Sequence, residues 1–462
     1  MAYKSEYAFE YKHILKSDKN CVDAAFRFCD EYKKFMNNSK TERECTKTII
    51  EIAKGNGYKE FSSSIKSLNP GDKYFVNNRD KSVVLFTVGK ESLDKGINFV
   101  VSHIDSPRLD LKPNPMYESD EIAYFKTHYY GGIKKYQWPT VPLSMHGRVY
   151  KDDGSFVDIN YGEKDTDPKF IITDLLPHLA REQESRTLKE GVKGEELNIV
   201  IGSIPLNDDD EIKNAVKEKV LTILYKEFGI KEKDFARAEI EFVPANLASD
   251  IGFDRSMIAA YGQDDKVCAY PALIAELENI NPIKTSVTVF TDKEEIGSEG
   301  NTGMVSEYLF DIVSDICDIS SIKPRDCYRN SICLSSDVNS AYDPSFPDVF
   351  EKMNSSYINR GVVLTKYTGH AGKSGSNDAS AETMAKVIKL MDDNKVVWQI
   401  GELGKVDIGG GGTIAKYMSE RNIDTIDVGV AVLSMHSPYE LTSKLDIYHT
   451  YLAYKAFLLN KE

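Results

Sequence analysis

No run of about 18 consecutive apolar residues occurs in the sequence, so no segment reads as a membrane-spanning helix. The first twenty residues lack an apolar core between a basic stretch and a small-residue cleavage site, and are not expected to act as a secretory signal. The seven cysteines (Cys21, Cys29, Cys45, Cys268, Cys317, Cys327, Cys333) are odd in number and contain no Cys-x-x-Cys pair. They read as reduced, mostly buried thiols of a cytoplasmic protein rather than a zinc knot or disulfide framework. No Gly-x-Ser-x-Gly turn is present, which leaves a serine hydrolase of that type without support. Neither an internal repeat nor a low-complexity tract is visible. Basic charge is also scarce. With 58 Lys and Arg against 72 Asp and Glu the formal net charge is -14, which disfavours nucleic acid and anionic membranes as partners, since both reward dense Lys and Arg.

What remains is a composition of 41% apolar and 28% charged residues, that of a globular enzyme. At 462 residues the chain exceeds one ordinary core, and roughly 150 residues per domain suggests two or three domains. Residues 6 to 54 read mostly as helix, with Thr41 and Glu44 resembling a capping box. Short strands follow at 73–76, 82–88 and 97–101, the last a continuous apolar run of the kind covered on both faces. After Pro113-Asn114-Pro115 the pattern alternates, is rich in Tyr and is punctuated by Gly131-Gly132, Gly147, Gly154 and Gly162, which predicts antiparallel β structure from about 120 to 205. Asp208 to Phe228 reads as a charged helix with Ile212, Val216, Val220, Leu221 and Leu224 on one face. Buried-strand runs return at 286–290, 331–334 and 427–433, with a helix at 267–277. The pattern predicts an α/β fold, a mixed central sheet flanked by helices with an inserted β-rich domain. Residues 1–112 and 250–462 form the discontinuous main domain, and 113–249 the insert.

Several of these strands run into potential metal ligands. The 97–101 strand leads into His103-Ile104-Asp105, and 286–290 into Asp292-Lys293-Glu294-Glu295. The 331–334 strand ends near Asp337, and 427–433 near His436. Asp264-Asp265 immediately precedes the 267–277 helix. Ligands in open α/β sheets sit beyond the carboxyl ends of strands, so these groups can converge. In an extended segment His103 and Asp105 point the same way, which lets Asp105 hydrogen-bond the imidazole and hold the metal-ligating tautomer. Each fragment alone is a common chance pattern; their joint occurrence at strand ends is what points to metal chemistry.

The segment Val101-Ser-His-Ile-Asp-Ser-Pro-Arg-Leu-Asp-Leu-Lys-Pro-Asn-Pro115 closely resembles the first signature of the aspartyl aminopeptidase family of dinuclear zinc peptidases. In that family's order come Tyr130-Gly131-Gly132, Leu176-Pro-His-Leu-Ala180, Gly262-Gln-Asp-Asp265, Glu294-Glu-Ile-Gly-Ser298, Ser335-Ser-Asp337, Gly410 to Thr413 and Met435-His-Ser-Pro438. The likeness runs from about residue 20 to the C-terminus. It implies a zinc-peptidase core and two divalent ions per subunit, zinc by preference and manganese or cobalt by substitution. His103, Asp264 and Asp337 would hold one ion; Asp264, Glu295 and His436 would hold the other, with Asp264 bridging. A cis peptide at Asp264-Asp265, Asp105 as the partner of His103, and Glu294 as general base toward a metal-bridged water are also implied. The activity would be removal of N-terminal residues from peptides.

The same resemblance makes the insert a dimerisation domain, with dimers assembling into a tetrahedral dodecamer and His178 reaching a neighbouring active site. Lys366, in a stretch Lys366 to Ser374 that lacks the first glycine of a phosphate loop, is the candidate for contacting a substrate side chain. His13, His128, His146, His370 and His449 read as structural or surface groups. One departure stands out. Where better-known members carry a histidine-containing stretch after the ligand aspartate, this chain reads Asn339-Ser-Ala-Tyr-Asp-Pro-Ser345, so acidic and neutral N-terminal residues both stay open as preferred substrates. A carboxypeptidase or deacylase on a similar dinuclear core also stays open, as does an inactive assembly protein, though the latter predicts a missing ligand or base and none is missing.

Overall fold

The computed structural model describes residues 7–62, 64–207 and 212–460. The chain divides into two compact units. One takes the residues up to Asp105, Ala248–Met435 and those from Glu440 on; the other takes Ser106–Leu247 and His436–Tyr439.

The first unit is built on a nine-stranded mixed sheet among the described residues. Its spatial order is Lys59–Glu60, Lys73–Asn78, Ser82–Thr87, Thr285–Thr291, Ile97–His103, Ile332–Ser335, Asp424–Gly429, Val362–Thr365 and Trp398–Ile400. Strand side chains alternate between faces, and both faces here are apolar. Val83, Leu85, Val100, Phe290 and Leu334 join one core cluster, while Val84, Phe86, Val101, Val289 and Cys333 join another. Helices Val22–Asn38, Glu42–Gly55, Gln263–Leu277 and Lys444–Leu458 contribute to the first cluster and Tyr308–Ile319 to the second. Burial on both sides explains why these strands read as unbroken apolar runs. All seven cysteines are free and buried.

Helix 42–55 begins as its capping residues predict, with Thr41 Oγ1 accepting the Glu44 amide at 3.3 Å. The helix expected from residue 6 onward is shorter: a short turn at Ile14–Lys16 precedes Val22–Asn38, because the polar 16–20 stretch offers no apolar stripe to bury, and residue 6 itself lies outside the described residues. The run 427–433 is two strands rather than one. Asp424–Gly429 belongs to the large sheet, and Ala431–Leu433 joins a second sheet ordered Ser249–Ile251, Met257–Ala260, Glu440–Ser443, Ala431–Leu433 and Asn339–Ser340. The crossing occurs where Gly429 meets Asp337: a Cβ on Gly429 would lie 1.8 Å from the Asp337 carbonyl oxygen, so only glycine fits.

Among the described residues the second unit holds a seven-stranded antiparallel sheet ordered Phe156–Tyr161, Leu143–Tyr150, Ala238–Pro244, Arg108–Ser119, Ile122–Tyr130, Ile199–Gly202 and Ile171–Ile172. Pro113-Asn114-Pro115, taken from composition as a junction, lies inside the Arg108–Ser119 strand, where the pairing with Ile122–Tyr130 shifts register between Leu111 and Met116. Proline has no amide to donate, and a register irregularity is where a strand tolerates it. The charged helix spans Ala215–Phe228 and buries Val216, Val220 and Leu224; it begins after Asn214, which is left-handed at φ 58, while Asp208 to Glu211 lie outside the described residues. Among the described residues no helix is long and apolar enough to cross a membrane.

His449, on the Lys444–Leu458 helix, is fully buried and its Nδ1 accepts the Val397 amide at 3.2 Å. Burial, partly offset by Asp18, pushes its pKa down from 6.5 to about 4. Between those values the native state binds fewer protons than the unfolded chain, so stability falls as pH drops from 6.5 toward 4, by at most about 3 kcal/mol. His449→Gln keeps an acceptor for Val397 and removes the titration. Thermal unfolding followed from pH 7.5 to 4.5 should show a shallower acid slope for the variant than for wild type; equal slopes would refute the assignment.

Candidate metal centre

Strand register brings the candidate ligands of the first unit together. Ile97–His103 lies between two parallel neighbours, with His103 level with Thr291 on one side and Val101 level with Ser335 on the other. The residues just beyond these carboxyl ends, Asp292 to Glu295 and Asp337, therefore emerge beside His103. Helix Gln263–Leu277 supplies Asp264 and Asp265 from its first turn, which is non-helical at both residues and carries a cis peptide between them.

The geometry follows. His103 Nε2 lies 3.1 Å from Asp264 Oδ1 and 3.9 Å from both Glu294 Oε2 and Asp337 Oδ1. His103, Asp264 and Asp337 offer donor atoms all within 4.8 Å of one another, as do His103, Glu294 and Glu295. His103 is 1% exposed. Its Nδ1 donates to the Asp105 carbonyl at 3.1 Å, with the Asp105 carboxylate further off at 3.4 Å. The backbone carbonyl is thus the nearer partner. An oxygen that can only accept fixes a hydrogen on Nδ1, so that the neutral ring carries its lone pair on Nε2, the ligating tautomer.

The Asp105 carboxylate has a second task that its spacing from His103 does not reveal. Its oxygens accept the backbone amides of Glu294 and Glu295 at 3.1 and 3.2 Å. Lys293, left-handed at φ 70, turns the chain so that both amides face it. Asp105 thereby ties the histidine strand to the two-glutamate turn. Glu440 is a further residue without a motif of its own: it is buried, and its Oε2 accepts the Asp264 amide at 3.1 Å.

Electrostatics follow from crowding. Burial opposes charge on His103, yet its contacts with Asp105 and Asp264 and the charge of Glu294 outweigh that and hold its pKa well above the usual imidazole value. Burial raises Asp337 well above the carboxylate range, with His103 opposing and Asp265, Glu294 and Asp264 adding to the rise. Asp265 is raised by burial too. So many acids in so little water call for positive charge among them, and imidazole with carboxylates is a donor set that zinc accepts. The residues fit a divalent cation.

Three further residues singled out in the sequence have contacts of their own. His436 belongs to the segment His436–Tyr439 of the second unit, where its Nδ1 donates to the Gly132 carbonyl at 2.8 Å. His178 is exposed on the Pro177–Leu179 turn. Lys366 follows the Val362–Thr365 strand and pairs with Asp378 at 2.5 Å. A further group, Asp18, Cys21 and His449, also brings three donors together. There the Val397 amide occupies His449 Nδ1, which leaves the hydrogen on Nε2 in the neutral ring, so it lacks the lone pair a metal needs.

A cation-ready cluster at the carboxyl end of a mixed α/β sheet defines a metal-dependent hydrolase, and comparison with known proteins names the kind. Residues 35–458 match the model of the aminopeptidase I zinc metalloprotease (M18) family. A probable M18 family aminopeptidase 1 from Clostridium acetobutylicum is 48% identical over 459 residues, 98% of each chain. The crystal structure of an M18 aminopeptidase from Thermotoga maritima superposes with a TM-score of 0.93 at 44% identity, covering 98% of this chain and 99% of that one. Aminopeptidase I from Clostridium acetobutylicum gives 0.92 at 46%, covering 98% and 100%. This chain belongs to the M18 family, and is an aminopeptidase of the zinc metalloprotease class.

Proposed function

We propose that the chain removes N-terminal residues from peptides using two divalent ions, zinc by preference with manganese or cobalt as substitutes. The observation that carries this is the convergence of His103, Asp264 and Asp337 beside the Glu294–Glu295 turn. His103, Asp264 and Asp337 hold one ion. Asp264, Glu295 and His436 hold the other, Asp264 serving both. For His436 the support is its tautomer, since donation from Nδ1 to Gly132 leaves Nε2 a lone pair, together with its place one residue after Met435 of the first unit.

When bound, the ions supply positive charge that polarises the scissile carbonyl and acidifies the attacking water. Glu294 takes the proton from that water and delivers it to the leaving amine. Asp105 holds Glu294 and Glu295 by their amides and so fixes where that proton is taken. Lys366 faces an acidic or neutral N-terminal side chain; because Asp378 already answers its charge, an acidic substrate must compete for it and neutral residues are accepted as well. The second unit forms dimers that assemble into a dodecamer, with exposed His178 offered to a neighbouring site. The reduced thiols fit a cytoplasmic setting.

Dialysis against a chelator should abolish hydrolysis of aminoacyl chromogenic substrates, and zinc, manganese or cobalt should restore it. Full activity in the metal-depleted protein would end this reading. Cleavage of an N-acetylated peptide in preference to its free-amine counterpart would instead indicate a deacylase or carboxypeptidase.

A further inference from the structure

Asp264 is asked to do more than any other side chain of the centre, yet it stands in a non-helical first turn of its helix, where the helix's own hydrogen bonds do not hold it. Something else must. Gln263, fully buried, donates from Nε2 to the carbonyls of Ile258 and Glu440, both at 2.9 Å, and its Oε1 accepts the Tyr32 hydroxyl at 3.0 Å. Glu440 stands level with Ala260 in the pairing of Met257–Ala260 with Glu440–Ser443. From there its Oε2 accepts the Asp264 amide at 3.1 Å. Glu440 is 1% exposed, and Lys266, fully buried two residues along the same helix, interacts with it electrostatically as it does with Asp105.

A carboxylate is an expensive group to bury, and a single backbone amide does not need one, since a carbonyl or hydroxyl would satisfy it. A charged acceptor makes the stronger bond. We propose that Glu440 is a positioning residue for the metal centre: it grips the backbone amide of Asp264 and, with Gln263 locked to the same strand, aims the Asp264 carboxylate at the ions. The inference rests on the dinuclear reading of the site. It concerns a residue that touches neither substrate nor metal, and its effect travels through Asp264.

Zinc affinity of the purified chain, measured by competition with a chromogenic chelator, tests it. Glu440→Ala should weaken zinc binding about 10- to 100-fold, as loss of a ligand's supporting partner does elsewhere. Glu440→Gln retains an acceptor without the charge and should fall between, about three- to tenfold weaker; it carries the test if the alanine variant does not fold. Glu276→Ala is the control for general loss of stability. Glu276 is equally buried, on the same helix, and bonded to Tyr58, Thr87, Ser286 and Thr288. It should lower the melting temperature and leave zinc affinity at the wild-type value. Wild-type zinc affinity in both Glu440 variants, or an equal loss in Glu276→Ala, overturns the assignment. A wild-type chain that binds no zinc would instead refute the metal reading beneath it.

Discussion

Glu294→Gln should bind its metal ions as tightly as wild type and lose turnover by about 10²- to 10⁴-fold, the range removed with a general base. The substitution keeps the size of the side chain and both Asp105-bound amides of the turn, because those bonds are made by backbone. What it removes is the only feature a base requires, an oxygen able to take a proton. The contrast with Glu295 sharpens the test. Both glutamates lie in the same donor group with His103, so that group by itself does not separate base from ligand. Glu295→Gln should release metal, which a bound-metal assay registers as a drop in zinc per chain, and its activity should recover in part at high zinc. Glu294→Gln should do neither. Measured kcat within threefold of wild type for Glu294→Gln, with zinc content intact, would refute its assignment as the base; zinc loss in that variant would exchange the roles of the two residues.

Acids and histidines at strand ends are legible in the sequence because local information suffices to place them. Runs such as 97–101 and 286–290 are apolar on both faces, their polar termination is visible in the sequence, and the candidate ligands follow directly. The α/β class and the family were readable from the same residues. Less was readable where the deciding contact joins distant parts of the chain. That His103 is level with Thr291 depends on a strand nearly 190 positions away, the separation of His103 from the Thr285–Thr291 strand. The double use of Asp105 needs Lys293 in a left-handed turn, and no spacing rule announces that. Glu440 escaped notice because an acid at the start of a short strand is ordinarily solvent-facing, and only the pairing with Met257–Ala260 shows it to be inside. The break at Gly429 was hidden because hydrophobicity continues through it: Val428, Val430 and Val432 are all buried, although the strand changes sheets between them.

Asp264 is where the dinuclear reading is most exposed to failure, because it alone is assigned to both ions. Asp264→Asn preserves volume and the amide held by Glu440, and replaces a carboxylate by a neutral group that ligates through one oxygen. Stripping one partner from a buried charged assembly costs on the order of 3–5 kcal/mol, which at 1.4 kcal/mol per decade corresponds to roughly 10²- to 4 × 10³-fold in affinity for each ion. Both binding events should weaken. His103→Ala, by contrast, should weaken one ion and spare the other. Calorimetric titration of zinc into the metal-free chain resolves this as two affected steps in the first variant and one in the second. Activity of Asp264→Asn should be lost even with zinc added well above the wild-type saturating level, since a shared carboxylate also sets the spacing of the two charges across the scissile carbonyl. If Asp264→Asn lost a single ion and kept the other at full affinity, Asp264 would be a ligand of one site only and the bridged arrangement would fall, leaving the fold, the family and the Glu294 chemistry to be explained by a mononuclear centre.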